Sequence, residues 1–124
     1  QASAVTTDLQ VVVDATGVLK TIPASTNIAI ITKTADYTTI TTDETILVNA
    51  ASGLVKITLP AASSALGKRY NVKKIDSSVN GAQVISAGGT IDGNVASTGV
   101  TGTLQWQGSV FQSDGANWYI ISRI

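Results

Sequence analysis

A single glutamate, Glu44, stands in a chain of 124 residues, and methionine is absent. That scarcity of helix formers constrains the fold more than any other feature, because Glu, Gln, Lys, Arg and Met lose little side-chain freedom in a helix. Threonine is the commonest residue, followed by Ala, Val and Ile. Thr, Val and Ile are stiff at χ1 and suit a pleated surface. No window sustains an apolar stripe at i, i+3, i+4 and i+7. Short apolar runs recur instead at roughly eight- to twelve-residue spacing, divided by turn residues, the pattern of a sandwich or barrel. The fold class is all-β.

Read in order, Leu9–Val13 and Val18–Ile22 flank Asp14-Ala15-Thr16-Gly17, a hairpin turn with Gly where positive φ is needed. Pro23–Asn27 breaks the chain before the run Ile28–Ile31, and Thr32–Thr42 is a Thr-rich connector. Thr45–Val48 and Val55–Leu59 bracket Asn49-Ala50-Ala51-Ser52-Gly53, a second hairpin loop by its composition. Val55, Ile57 and Leu59 point one way and Lys56 and Thr58 the other, a half-buried alternation. Pro60 ends that strand because it has no N–H for a ladder. Ala61–Leu66 reads as one helical turn closed by Gly67. In Tyr70–Ile75, Tyr70 and Val72 share a face but Ile75 falls on the other, so a phase slip or strand end is expected at Lys73-Lys74. The turn cluster Asp76–Gly81 precedes Gln83–Ser86, a very short strand surrounds Ile91, and Val95–Gly102 reads as loop. Thr103–Gln107, Val110–Ser113 and Trp118–Ile121 complete the strands. The last two are joined by Ser113-Asp114-Gly115-Ala116-Asn117, the clearest hairpin signal in the chain. No linker splits two domains; residues 1–33 read as a strand and hairpin connector before a head of residues 34–124.

Only 13% of residues are charged against 44% apolar, and eight basic side chains offset eight acidic ones. No global field recruits nucleic acid or an anionic membrane. Cys and His are absent, which excludes disulfides, zinc ribbons, thiol nucleophiles, imidazole metal sites and Ser-His catalysis. No motif implies a metal or cofactor. No apolar run approaches the roughly 18 residues of a spanning helix, and Gln1-Ala2-Ser3-Ala4 carries no signal-peptide pattern. A chain beginning at Gln1 without Met reads as a fragment or a processed product.

A strand with one wet face alternates. Val11-Val12-Val13, Ile28-Ala29-Ile30-Ile31 and Trp118-Tyr119-Ile120-Ile121 do not. Strands apolar on both faces need two covers, and without helices the second cover is another copy of the chain or an added layer from the N-terminal segment. Few charges guard the edges and outer faces. A homo-oligomer is expected.

From Ala35 onward, an ordered set of motifs resembles the C-terminal head or knob domains of bacteriophage tail-fibre and tail-needle proteins. The set comprises Ala35-Asp36-Tyr37-Thr38, Ile46-Leu47-Val48-Asn49-Ala50, Ile57-Thr58-Leu59-Pro60-Ala61-Ala62, Gly67 through Ser78, Ile91-Asp92-Gly93, and Ser113 through Tyr119. The opening stretch Val13–Lys20 is similar to connectors found before such heads. The resemblance implies a jelly-roll-like antiparallel sandwich, a homotrimer at the tip of a fibre on the virion, and a role at the contact between phage and host. It carries over no ligand. The histidines through which some fibre tips hold metal on the trimer axis are missing here.

Candidate sites follow from residue chemistry. Lys68, Arg69, Lys73 and Lys74 form the one local charge run, able to hold polysaccharide carboxylates or phosphates. Strand parity nevertheless divides Arg69 and Lys73 from Lys68 and Lys74, and a solvated edge or rim explains the run more simply. Gln105, Gln107 and Gln112 offer hydrogen bonds to a ligand. Trp106 shares parity with Leu104, and Trp118 enters a dense apolar run, so both fit core positions better than sugar platforms. Asp92-Gly93-Asn94 and Asp114-Gly115 are turns, lacking the spacing of a calcium loop. Asp36, Asp43, Glu44, Asp76, Asp92 and Asp114 show no spacing that fixes a glycosidase pair. The expected function is a non-catalytic knob that attaches a phage to a bacterial surface component, a saccharide or an outer-membrane receptor. Nucleic acid and membrane insertion are not expected. Two alternatives remain: a trimerisation and capping module for the fibre tip, and a small carbohydrate-binding or Ig-like accessory domain.

Overall fold

The computed structural model describes residues 9–13, 19–23 and 29–123. Strands β1 (Leu9–Val13) and β2 (Leu19–Pro23) pair antiparallel as a two-stranded sheet. The turn expected at Asp14–Gly17 lies outside the described residues, as do the side chains of Val11–Val13.

The remaining strands form two sheets. β3 (Ala29–Lys33), β5 (Asp43–Val48), β7 (Arg69–Lys74), β10 (Gly108–Ser113) and β11 (Trp118–Arg123) make a five-stranded sheet in the order β11-β10-β7-β5-β3. β4 (Tyr37–Thr38), β6 (Val55–Leu59), β8 (Ala82–Ser86) and β9 (Val100–Gly102) make a four-stranded sheet in the order β4-β6-β8-β9. A single 3-10 turn, Ala62–Ser64, is the only helical element among the described residues. The all-β reading holds, in the form of two mixed sheets without a barrel.

Strand direction corrects the expectation of an antiparallel sandwich. β3, β5 and β7 run parallel, and so do β4, β6 and β8. From β3 to β8 the chain alternates between the sheets, so each new strand lies beside the strand two before it. Asn49–Gly53 is therefore not a hairpin loop but an arch carrying the chain from β5 in one sheet to β6 in the other. Ile46 and Val48 then meet Val55, Ile57 and Leu59 across the core, where a hairpin would set them side by side. Antiparallel pairing appears where the chain closes: β9 on β8, β10 on β7, and β11 on β10. β3 pairs in register with β5, so Ala29–Lys33 forms part of the five-stranded sheet.

The core lies between the sheets and draws on both. Ile46, Val48, Val55, Ile57, Leu59, Tyr70, Val72, Val84, Phe111 and Trp118 are buried, together with Ile91 from the short connection after β8. The Trp118 ring stands 5.7 Å from that of Tyr70 at a tilt of 52°. Its indole Nε1 donates to the Pro60 carbonyl at 2.9 Å, so the residue that stops β6 also satisfies the buried indole. Gly67 closes the 3-10 turn at φ +78, a conformation that burdens side chains with a Cβ.

One inward position holds a cation. Tyr70, Val72 and Lys74 alternate without a slip, and Lys74 is only 1% exposed, which corrects the expected phase break at Lys73-Lys74. Its ammonium has three donors, and it gives them to the Asp76 carbonyl at 2.7 Å, Asp76 Oδ2 at 2.9 Å and the Ser78 carbonyl at 2.7 Å. Asp76 also accepts from the Ala50 N–H at 2.7 Å, the Ser78 N–H at 3.0 Å and the Ser78 hydroxyl. Burial alone would raise this carboxyl, but the hydrogen bonds from Ser78, Ala50 and Lys74 outweigh it and hold the group well below the usual carboxylate range.

Removing one partner of a buried pair strands the other charge, so Lys74→Met should lower the unfolding free energy by about 3 kcal/mol in urea denaturation. Because the folded Asp76 pKa is depressed, its stabilisation is complete above the ordinary carboxylate pKa of about 3.9 and is lost as the pH falls below it. Urea midpoints measured from about pH 5 down to pH 2 should show that acid loss, and Asp76→Asn should flatten it.

Candidate functional site

β7 ends at Lys74, and Thr103–Gln107 reaches it just before β10 begins. This segment was expected to be a strand; it is a turn. The side chain of Gln107 replaces a partner strand: its Oε1 accepts from the Thr103 N–H at 3.0 Å and the Leu104 N–H at 3.1 Å. Three further bonds rivet the turn to the end of β7. The Trp106 N–H donates to the Lys74 carbonyl at 2.8 Å, the Lys74 N–H to the Gln107 carbonyl at 2.9 Å, and Gln105 Nε2 to the Ile75 carbonyl at 3.1 Å.

Trp106 is not a core residue. It is 56% exposed, beside the exposed Leu104. The parity argument fails because parity orients side chains only within a strand, and here the chain turns. The Trp106 backbone sits at φ +69, a region sparsely populated by residues with a Cβ and a genuine outlier for a bulky one. Those five hydrogen bonds, with a sixth from the Gln107 N–H to the Leu104 carbonyl at 3.1 Å, hold it there. Lys73 Nζ lies 5.9 Å from the indole centroid, at the outer limit of a cation–π contact.

The sequence candidates therefore separate. Lys73 lies near the Trp106 ring and Gln105 precedes it in the turn, bonded to the Ile75 carbonyl, whereas Gln107 is spent inside the turn. Lys68 lies at the other end of β7 and donates to the Asp43 carbonyl at 2.6 Å and Glu44 Oε1 at 3.4 Å, with its ammonium 4.7 Å from the Tyr70 ring centroid. Arg69 is exposed and paired in register with Gln112 of β10. Trp118 and Pro60 belong to the core contact already described. Asp114 caps the β10–β11 hairpin by accepting from the Ala116 and Asn117 N–H groups at 2.9 and 2.8 Å. Those backbone bonds, Asn117's first, hold its carboxyl below the usual range. Gly115 supplies the φ of +91 the turn requires.

The six acids weighed as a catalytic pair are each engaged locally. Asp36 accepts the Lys56 N–H, Asp92 the Ile120 N–H, and Asp43 the Tyr37 hydroxyl at 2.6 Å and the Ile40 N–H at 2.9 Å. The hydrogen bond to Asp43 is the main reason the Tyr37 hydroxyl is pushed up to about 12, with burial adding to it. Glu44 faces Lys68, and Asp76 and Asp114 have the partners given above.

Space sets a further limit. A cavity of about 40 Å³ lies under the turn, lined by Val72, Lys74, Val84, Val100, Gln107 and Phe111. It has room for a water or two, not for a sugar ring or cofactor. An open hollow of about 410 Å³ lies at the opposite end of β7, beside Leu66, Lys68 and Tyr70.

Sequence reasoning missed two features. Lys74 shared the parity of Tyr70 and Val72, which was a direct signal that it points inward. Trp106 carried no such signal, because the turn depends on a side-chain bond from Gln107. Comparisons with protein families, with curated proteins and with solved structures found no match.

A tryptophan that props up a core costs about 3–5 kcal/mol to remove, and Trp118→Ala should lose that much. Trp106→Gly relieves a left-handed backbone worth about 1–2 kcal/mol. Thermal and urea unfolding should place it within about 1 kcal/mol of the parent chain.

Proposed function

We propose that this chain is the distal knob of a phage tail fibre or tail needle, a homotrimer on the virion that attaches to a bacterial surface component without catalysis. The observation that carries the attachment reading is Trp106: a large aromatic held outward in a disfavoured backbone conformation, beside a cation. Such strain persists only where surrounding bonds over-determine it, and it concentrates at binding sites. The order of motifs from Ala35 to Tyr119 supports the tail-tip assignment. The likeness to a jelly roll rests on two facing sheets, not on strand direction.

The trimer reading draws on the outer face of the five-stranded sheet. β3 and β11 occupy its two edges. Both carry apolar side chains outward: Ile30 is 63% exposed, Tyr119 41% and Ile121 52%. Half-exposed Val110 lies in the same cross-strand row as Ile30, through Thr45 and Asn71. The outward positions of the four-stranded sheet are more polar, with Lys56, Thr58, Gln83 and Thr101 beside a single half-exposed Ile85. A second reading, tip registration and capping without a receptor, is favoured by this same apolar face, since it needs no ligand site.

Light scattering at micromolar concentration should give the mass of three copies of the 12.7 kDa chain. Ile30→Lys combined with Ile121→Lys should reduce it to one copy. Fluorescently labelled protein should adsorb to some strains in a panel of bacteria and be displaced by their purified surface polysaccharide. A trimer that adsorbs to none of them would leave the capping reading in its place, and a monomer would sink both.

A further inference from the structure

We infer that Trp106, Lys73 and Gln105 form a surface site for an acidic saccharide, a sugar ring stacking on the indole while its carboxylate or phosphate pairs with the Lys73 ammonium. The inference rests on the attachment reading and names its ligand class.

The indole supplies a flat apolar plate, and Leu104, 68% exposed, extends that apolar surface. Sugar rings present C–H faces that an exposed aromatic plate matches, while their hydroxyls remain in water. This suits a site too shallow to bury a ligand. Gln105 fixes the neighbouring backbone through its amide NH2, which leaves its side-chain carbonyl oxygen as an acceptor for a sugar hydroxyl.

The charge of the ligand follows from Lys73. Among the described residues it has no carboxylate within 4.0 Å, in contrast to Lys68 and Lys74. In register, its neighbours are Leu47 on β5 and Gly108 on β10. Neither competes for the ammonium. Gly108 also leaves the lysine stem uncovered on that side: a Cβ there would stand 3.4 Å from Lys73 Cβ and 3.5 Å from Cγ. On β7 and β10 the outward charged residues are Arg69 and Lys73, and the half-exposed Glu44, at the irregular start of β5, is already paired with Lys68. The field at this face is therefore complementary to an anion.

The site is also compatible with association. Ile30 and Val110 lie one cross-strand row away from Lys73, and Tyr119 and Gln112 pair with Arg69 at the opposite end of the strand. Trp106 lies past the end of β7, at the rim of the face and not in its middle.

Titration of the full chain with oligogalacturonate and with oligomers of sialic acid, followed by tryptophan fluorescence and calorimetry, tests the site directly. Both acidic probes should bind saturably and more tightly than maltoheptaose, and the preference should shrink as salt is raised. Trp106→Gly should weaken binding by about tenfold or more. Lys73→Gln should erase the preference for acidic over neutral probes, and Lys73→Arg should restore it. Acidic probes no tighter than maltoheptaose, an unaffected Trp106→Gly protein, or equal binding of a short single-stranded DNA would overturn the inference. Adsorption of the same variants to bacterial cells separates the two levels. Cell binding that survives Trp106→Gly and Lys73→Gln refutes this site and leaves attachment standing, whereas oligosaccharide binding without cell binding refutes attachment alone.

Discussion

The Asp76 carboxylate gathers segments that the chain delivers from three directions. The Ala50 N–H comes from the arch between β5 and β6, the Lys74 ammonium from the end of β7, and the Ser78 N–H and hydroxyl from the turn before β8. Asn80 Nδ2 adds a bond to the Ala50 carbonyl at 2.8 Å, closing the loop back on the arch. Isolated, either charge would be expensive to bury; together, with every ammonium donor filled, they fix where β7 stops. That end of β7 is what the Trp106 turn binds, through the carbonyls of Lys74 and Ile75. An interior ion pair thus sets the position of an exterior side chain, with two residues of backbone as the link.

The two outer faces differ in a way that follows from strand order. Winding from sheet to sheet buries β5 and β7 in the interior of the larger sheet and leaves β3 and β11 at its edges. Both edge strands carry apolar residues on both faces. Ile31 and Trp118 reach the core from them, while Ile30, Tyr119 and Ile121 face out. With 13% charged residues, the chain has little with which to guard such edges. The doubly apolar runs were visible in the sequence. That they belong to the same sheet was not.

Legibility divides along the range of the interaction involved. Val55–Leu59 and the β10–β11 hairpin were read closely because alternation and the Ser113–Asn117 turn are local patterns. The 3-10 turn and its Gly67 closure are local too. Strand direction was misread because an arch and a hairpin loop share one composition. The arch at Asn49–Gly53 is held from afar, by Asp76 and Asn80 bonded to the Ala50 backbone. Trp106 failed for a related reason. Its alternation with Leu104 looked like a strand, but the Gln107 N–H closes a turn on the Leu104 carbonyl and the Gln107 side chain folds back onto Thr103 and Leu104.

Attachment and association are energetically coupled in the proposed knob. One exposed aromatic contact contributes about 0.5–1.5 kcal/mol beyond the area it buries, and one exposed ion pair adds about 0–1 kcal/mol. Micromolar affinity requires about 8 kcal/mol, so a single Trp106 site on a single chain would hold a saccharide only weakly. Copies joined through the apolar sheet face would carry several such sites at fixed spacing, and linkage of that kind multiplies apparent affinity by about 10²–10⁴ without any new contact. A repetitive surface polysaccharide is the ligand form that could engage them together. In this reading the outward Ile30, Tyr119 and Ile121 are what make a shallow site sufficient, because they supply the copies that depth would otherwise have to replace.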